Sequence, residues 1–368
     1  MSLFSPLALP NGAVIANRIA KAAMEENIAD GDHAPSAELI NLYRAWADGG
    51  AGLIITGHVM VDARAMTGPA GVVLEDDRHL DRFKIWAEAA RAGGAQVWMQ
   101  INHPGRQMPA GLGQETLAPS AIALDLGAQS KRFPVPREMT AADIAEVERR
   151  FVTTAVLAER AGFTGVEIHA AHGYLLSQFL SPLANHRKDR WGGSLENRAR
   201  LLLDIVRGVR ATVSKGFAVA VKLNSADFQR GGFSPEDARA VVQMLGALGV
   251  DLVELSGGSY EAPAMMGSAR DDRTLARSLF PRIRARDRRG RDDAADGHRR
   301  HKTPRGGGEG DRKRRRHGGH RDRACDRTEP AAQMAARQGG RARAQADHLE
   351  EQACRVGRAY GRGALPVG

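Results

Sequence analysis

Near the middle of the chain, Val166-Glu167-Ile168-His169-Ala170-Ala171-His172-Gly173-Tyr174 sets two imidazoles three residues apart, with a phenol two residues further on. Two such imidazoles can donate hydrogen bonds to one carbonyl oxygen, and a neighbouring phenol can then deliver a proton. A packed histidine pair bonded to loop backbone and a metal site are the competing readings, but no third metal ligand accompanies the pair. Gln100-Ile101-Asn102-His103-Pro104-Gly105-Arg106 offers an amide and a cation, although an exposed polar loop explains it equally well. Ala218-Val219-Ala220-Val221-Lys222-Leu223-Asn224 carries a lysine inside an apolar run. A buried ammonium is costly unless an anion meets it. Two kinds of anion are open here: an electron-rich ring edge, such as the N1–C2=O side of a reduced flavin, or the carboxylate of Glu167 or Glu254.

Short Val/Ile-rich runs alternate with segments of helical period, as repeated βα units on a parallel sheet do. The strands expected are residues 18–23, 52–57, 96–101, 165–170, 218–224 and 251–257. Thr140 opens one intervening helix and Ser234-Pro235-Glu236 another, and Gly162 and Gly249 turn helices back toward strands. No Gly-x-Gly-x-x-Gly follows a first strand, which argues against an open dinucleotide-binding sheet. The fold expected is an α/β (β/α)8 TIM barrel in which, as translated, strands seven and eight are not recognisable. The three polar motifs then fall at the C-terminal ends of strands, where barrel active sites are built. The Pro/Gly-containing segment 104–136 is too long for a plain connector and is expected to lie over the mouth or form a cap.

The formal net charge of +10 is unevenly spread. Residues 278–368 hold 24 Lys+Arg against 12 Asp+Glu, so residues 1–277 carry 29 against 31. The division expected is a catalytic domain over 1–277 and a basic, disordered tail over 278–368. Both cysteines, Cys325 and Cys354, belong to the tail, so a disulfide, thiolate metal site or iron–sulfur cluster is not expected in the first part. Neither a signal peptide nor an apolar run of membrane length is present, and a cytoplasmic location without a membrane or nucleic-acid partner is expected.

The segment AGFTGVEIHAAHGYLLSQFLSPLANHRKDRWGGSLENRARLLLDIV resembles the central signature of the old yellow enzyme, or NADH:flavin oxidoreductase, family. Leu3-Phe4-Ser5-Pro6-Leu7 with Asn17-Arg18-Ile19, the MQINHPGRQ segment and Ala118-Pro119-Ser120-Ala121 match the same pattern in order and spacing, so the resemblance runs from residue 3 to about 277. It implies a noncovalent FMN, NADH or NADPH as reductant, and an enone-type small molecule as substrate. It also implies that Ala22, Ala23, Met24 and Glu25 lie along the flavin through their backbone, that Gly57 and Gln100 meet its pyrimidine edge, and that Lys222 sits by N1 and O2. On the same resemblance His169 and His172 hold the carbonyl oxygen, and Tyr174 protonates the α carbon after hydride reaches the β carbon. Lys222 stands where the family usually has Arg, which keeps the charge and loses the planar fork. Glu25-Glu26-Asn27 lacks the Cys or Thr often found beside the flavin. Relatives that reduce dienoyl-CoA hold a cysteine-bound iron–sulfur cluster, for which residues 1–277 have no ligand.

The tail reads differently one base along. Residues 291–302, given permissible codons and read from the second base, become Val-Thr-Thr-Leu-Pro-Met-Val-Thr-Gly-Gly-Ile-Lys, which resembles the family's seventh strand and phosphate loop. The same shift yields family-like segments from Ser278 and from Arg321. A frameshift near Arg277 is therefore expected, whether a sequencing error or a pseudogene. The alternatives are an inactive product that does not hold FMN, and a genuine nucleic-acid-binding arm.

Overall fold

The computed structural model describes residues 2–112 and 115–262. The basic tail, strands seven and eight and the change of frame all fall outside the described residues.

All six expected strands form, parallel and in chain order: β1 Ala20–Lys21, β2 Leu53–Ile55, β3 Gln96–Asn102, β4 Gly165–Ala170, β5 Ala218–Asn224 and β6 Leu252–Ser256. Each pairs with its sequential neighbours, as right-handed βα crossovers dictate. β1 is shorter than the sequence suggests because the Asn17 side chain accepts the N–H groups of Ile19 and Gly52 just ahead of it. Among the described residues β6 has one neighbour, and its residues are half-buried where those of β4 and β5 are buried throughout. The sheet is thus a curled, open part of a barrel.

The helices are α1 Ala37–Ala47, α2 Leu80–Arg91, α3 Ala141–Arg160, α4 Leu175–Leu180, α5 Leu195–Thr212 and α6 Pro235–Ala247. Thr140 and Ser234 start α3 and α6 with full capping boxes closed by Asp143 and Asp237. Gly162 and Gly249 adopt φ of +92° and +74°, the left-handed turn that returns the chain to β4 and β6. Along α3, Ile144, Val147, Phe151, Ala155 and Ala158 make one buried stripe against the sheet.

Alternation along the strands sorts residues into two faces. Val97, Met99, Ile101, Val166, Ile168, Val219, Val221 and Leu223 meet the helices. Trp98, Ala218 and Ala220 instead pack inward with Leu53 and Ile55 and with a short N-terminal hairpin, Leu7–Ala8 paired with Val14–Ile15. That plug is apolar. Further along the same inward rows stand Gln100, Asn102, Glu167, His169, Lys222, Asn224, Glu254 and Ser256. The interior therefore changes from apolar at the strands' N-terminal ends to polar at their C-terminal ends. Within segment 104–136 the described residues include 3-10 turns at Gly105–Gln107, Ala110–Leu112 and Gly127–Arg132, and a short parallel pair, Leu117–Ala118 with Arg137–Glu138, brackets residues 119–136. Its Phe133 ring lies 6.5 Å from that of Tyr260, tilted by 59°, which brings this segment, expected to lie over the mouth or form a cap, beside the mouth.

Candidate active site

The polar residues at the C-terminal end converge. The ring of His169 lies 5.1 Å from that of His172 and 5.0 Å from that of Tyr174, edge to face in both cases. His169 is the penultimate residue of β4 and is buried, and its Nδ1 accepts the Ala171 N–H, which leaves the proton of the neutral ring on Nε2. His172 sits at φ +61°, a strained backbone for a non-glycine residue. Its N–H donates to Asn224 Oδ1 at 3.1 Å, its Nε2 meets Ser256 Oγ at 2.5 Å, and it bridges in parallel to Ser259. Gln178, one turn into α4, donates to the carbonyls of Gly173 and Pro104 and so ties this loop to the end of β3.

Burial makes all three groups neutral near pH 7. His172 is pushed down to about 4 by burial and then by the Lys222 charge, and His169 is held well below the ordinary imidazole value by burial and by its histidine neighbours. Burial and the Tyr260 hydroxyl hold the Tyr174 phenol well above its ordinary value. The arrangement is two neutral donors beside a protonated acid.

Below them Lys222 Nζ pairs with Glu254 Oε1 at 2.8 Å, so the carboxylate partner weighed from sequence is present. Gln100 Nε2 donates to Glu167 Oε2 at 2.6 Å, and burial together with Glu254 raises the Glu167 carboxyl well above the ordinary range. Arg106 does not reach the mouth as a free cation: it pairs with Glu261 and donates to the carbonyls of Ile122 and Ala123, fastening the cap.

Ala22, Ala23, Met24 and Glu25 run as an irregular strip past the end of β1, with Met24 54% exposed. Gly57 presses against that strip: a Cβ there would stand 2.2 Å from the Met24 carbonyl oxygen and 1.9 Å from Glu26 Oε2. Around the same mouth Asn102 Oδ1 is a buried acceptor without a hydrogen-bond partner among the described residues, while the raised Glu167 carboxyl is hydrogen-bonded to Glu254. An open backbone strip, a lysine, an amide and one unmet acceptor suit the edge of a planar heterocycle that carries both N–H and carbonyl groups. For the ring of FMN the residues fit; the loops expected to hold its phosphate lie outside the described residues.

Two residues of the cluster escaped the sequence reading. His58 meets Tyr174 edge to face at 5.5 Å, with Asn102 Nδ2 on its Nδ1 and both Thr67 and Glu25 on its Nε2. Tyr260 places its hydroxyl 2.9 Å from that of Tyr174. The His58 signal was its position beside Gly57 at the end of β2. Tyr260 gave none, being 86 residues from its partner.

An open parallel part-barrel with two neutral imidazoles and a buried phenol gathered at the C-terminal ends of its strands is a site of the barrel-enzyme kind. The family model described as NADH:flavin oxidoreductase / NADH oxidase matches residues 2–272. An NADH-dependent flavin oxidoreductase of Talaromyces variabilis is 39% identical over 284 residues, covering 72% of this chain and 68% of that protein. NADH oxidase of Thermoanaerobacter brockii is 38% identical over 274 residues, 73% of this chain and 41% of that protein. Among solved structures, 2-naphthoyl-CoA reductase in complex with 2-naphthoyl-CoA aligns at TM-score 0.68 and 31% identity over 71% of this chain and 41% of that one. The old yellow enzyme homologue from Zymomonas mobilis aligns at 0.64 and 30% over 70% and 74%. The chain belongs to the NADH:flavin oxidoreductase / NADH oxidase family. Its match to an NADH-dependent flavin oxidoreductase of Neonectria sp. spans only 36% of that relative's length.

Proposed function

We propose that the protein is an FMN-dependent NAD(P)H oxidoreductase of the old yellow enzyme type that reduces a carbonyl-conjugated alkene. The observation that carries this is the packing of the His172 and Tyr174 rings each about 5 Å from that of His169, all three held uncharged. FMN, when bound, supplies the hydride chemistry, with NADH or NADPH as its reductant. The backbone of Ala22, Ala23, Met24 and Glu25, with Gly57, Gln100 and Lys222, would hold the ring. Lys222 would offset negative charge there, and its pairing with Glu254 would limit how much of the lysine's charge is free to do so. His169 and His172 donate to the substrate carbonyl oxygen, where charge develops as hydride reaches the β carbon. Tyr174 delivers its proton to the α carbon, giving the saturated carbonyl compound.

The mouth suits a small molecule. The relative whose structure holds 2-naphthoyl-CoA supports including thioester-activated alkenes beside simple enones. The near-neutral balance of residues 1–277 speaks for no nucleic-acid partner, and a cytoplasmic setting accords with a cysteine-free segment in which no described helix is long and apolar enough to cross a membrane. We further propose that the catalytic domain ends near residue 277 and that the tail is read in a shifted frame; the family match stopping at residue 272 supports the boundary. Resequencing the gene across this point tests the frame, and finding the present frame intact rejects it. Anaerobic oxidation of the reduced, FMN-loaded protein by a cyclic enone tests the activity.

A further inference from the structure

We propose that Tyr260 is the relay through which Tyr174 regains its proton from solvent after each turnover. The proposal rests on the preceding assignment of Tyr174 as the proton donor.

Tyr174 is 5% exposed, so a phenolate left on it has little water to take a proton from. Its hydroxyl has one hydrogen-bond partner among the described residues, the Tyr260 hydroxyl at 2.9 Å. Tyr260 is half-buried under Phe133 of the cap, on the side of the pair nearer solvent. The loop that carries it is fixed on both flanks. Ser259 bridges to His172, and Gly258 gives its carbonyl to Asn224 Nδ2 at 2.9 Å. On the other side Glu261 is held by Arg106 and accepts the Asp125 N–H. A hydroxyl pair that served only to pin a loop would be redundant here, because the loop is already held at the residues on either side of Tyr260.

The electrostatics point the same way. Burial raises both phenols, and Tyr174, at 5% exposure, is more deeply buried than the half-buried Tyr260. Negative charge is thus better placed on Tyr260. Glu25 raises both phenols. The steps balance. The Tyr174 O–H bond breaks as its proton forms a C–H bond with the electron pair at the substrate α carbon. The Tyr260 proton then passes to the Tyr174 oxygen, and the Tyr260 phenolate takes a proton from water, whose hydroxide the buffer neutralises.

Four tyrosines in the chain make phenolate absorbance readable. In a spectroscopic pH titration of the full chain, Tyr174→Phe should raise the Tyr260 ionisation midpoint by about one unit, through loss of a hydrogen bond to the phenolate. In turnover with FMN, NADH and a cyclic enone, Tyr260→Phe should slow the enone-dependent step roughly 10- to 100-fold and enlarge the solvent deuterium isotope effect, the range expected when proton delivery is impaired. It should leave reduction of the flavin by NADH unchanged. Tyr260→His, which keeps a proton carrier at the position, should restore much of the rate. An unmoved Tyr260 midpoint, or a Tyr260→Phe enzyme within twofold of wild type with the same isotope effect, overturns the relay. A fully active Tyr174→Phe enzyme overturns the donor assignment itself, and the relay with it.

Discussion

The side chains that do the chemistry here owe their protonation states to burial. His169 and His172 remain neutral donors because the interior that encloses them penalises the imidazolium and Lys222 adds its charge to that penalty. Replacing His169 by Phe removes one donor to the developing oxyanion and is expected to lower alkene reduction about 100-fold, with NADH-driven flavin reduction much less affected; half-reaction rates measured separately decide it. Lys222→Met strands Glu254 beside an already protonation-prone Glu167, so it should destabilise the fold by about 3 kcal/mol in urea unfolding, with Lys222→Arg close to wild type. Equal stability of the Met and Arg variants counts against a structural role for the pair. At this scale the sequence was informative where chemistry and spacing coincide, as in His169, His172 and Tyr174. It was mute where partners meet only in space: His58 needs β2 beside β3, and Tyr260 needs the β6 loop beside the end of β4.

At the level of elements, strand ends govern what reaches the mouth. Gln100-Ile101-Asn102, Glu167-Ile168-His169, Lys222-Leu223-Asn224 and Glu254-Leu255-Ser256 repeat a polar–apolar–polar ending at period two, which puts the polar members on one face. That repeat was legible, and it predicts the whole polar rim rather than single residues. The exact start of β1 was not, because it depends on an asparagine side chain intercepting two backbone N–H groups. Gly57 shows how tightly one strand end is fitted. With Ala at 57 the new methyl meets the Met24 carbonyl, so we expect a loss of about 1–3 kcal/mol in urea unfolding together with weaker FMN binding. An unperturbed midpoint argues that the strip at residues 24–26 yields freely.

For the molecule as a whole, buried histidines set the acid limit of the fold. His103 and His172 are both lowered to about 4 from 6.5, so between those values the unfolded chain binds more protons than the folded one. Stability is full above pH 6.5 and is lost as pH falls toward 4, by about 2 kcal/mol per histidine between pH 7 and pH 5. His103→Gln, away from the catalytic cluster, should flatten that slope, and parallel urea titrations at the two pH values measure it. The proposed change of frame removes the expected phosphate loops, so the 368-residue chain should retain little FMN after gel filtration, whereas a frame-restored chain should approach one flavin per protein. The measurement closest to the central claim is the anaerobic reoxidation by a cyclic enone of the reduced, FMN-loaded, frame-restored protein, followed by flavin absorbance in its wild type and Tyr174→Phe forms. The site described here predicts enone-dependent reoxidation in the wild type, slowed at least about 100-fold in the variant. Equal rates in the two proteins, or no enone-dependent reoxidation in either, contradict it.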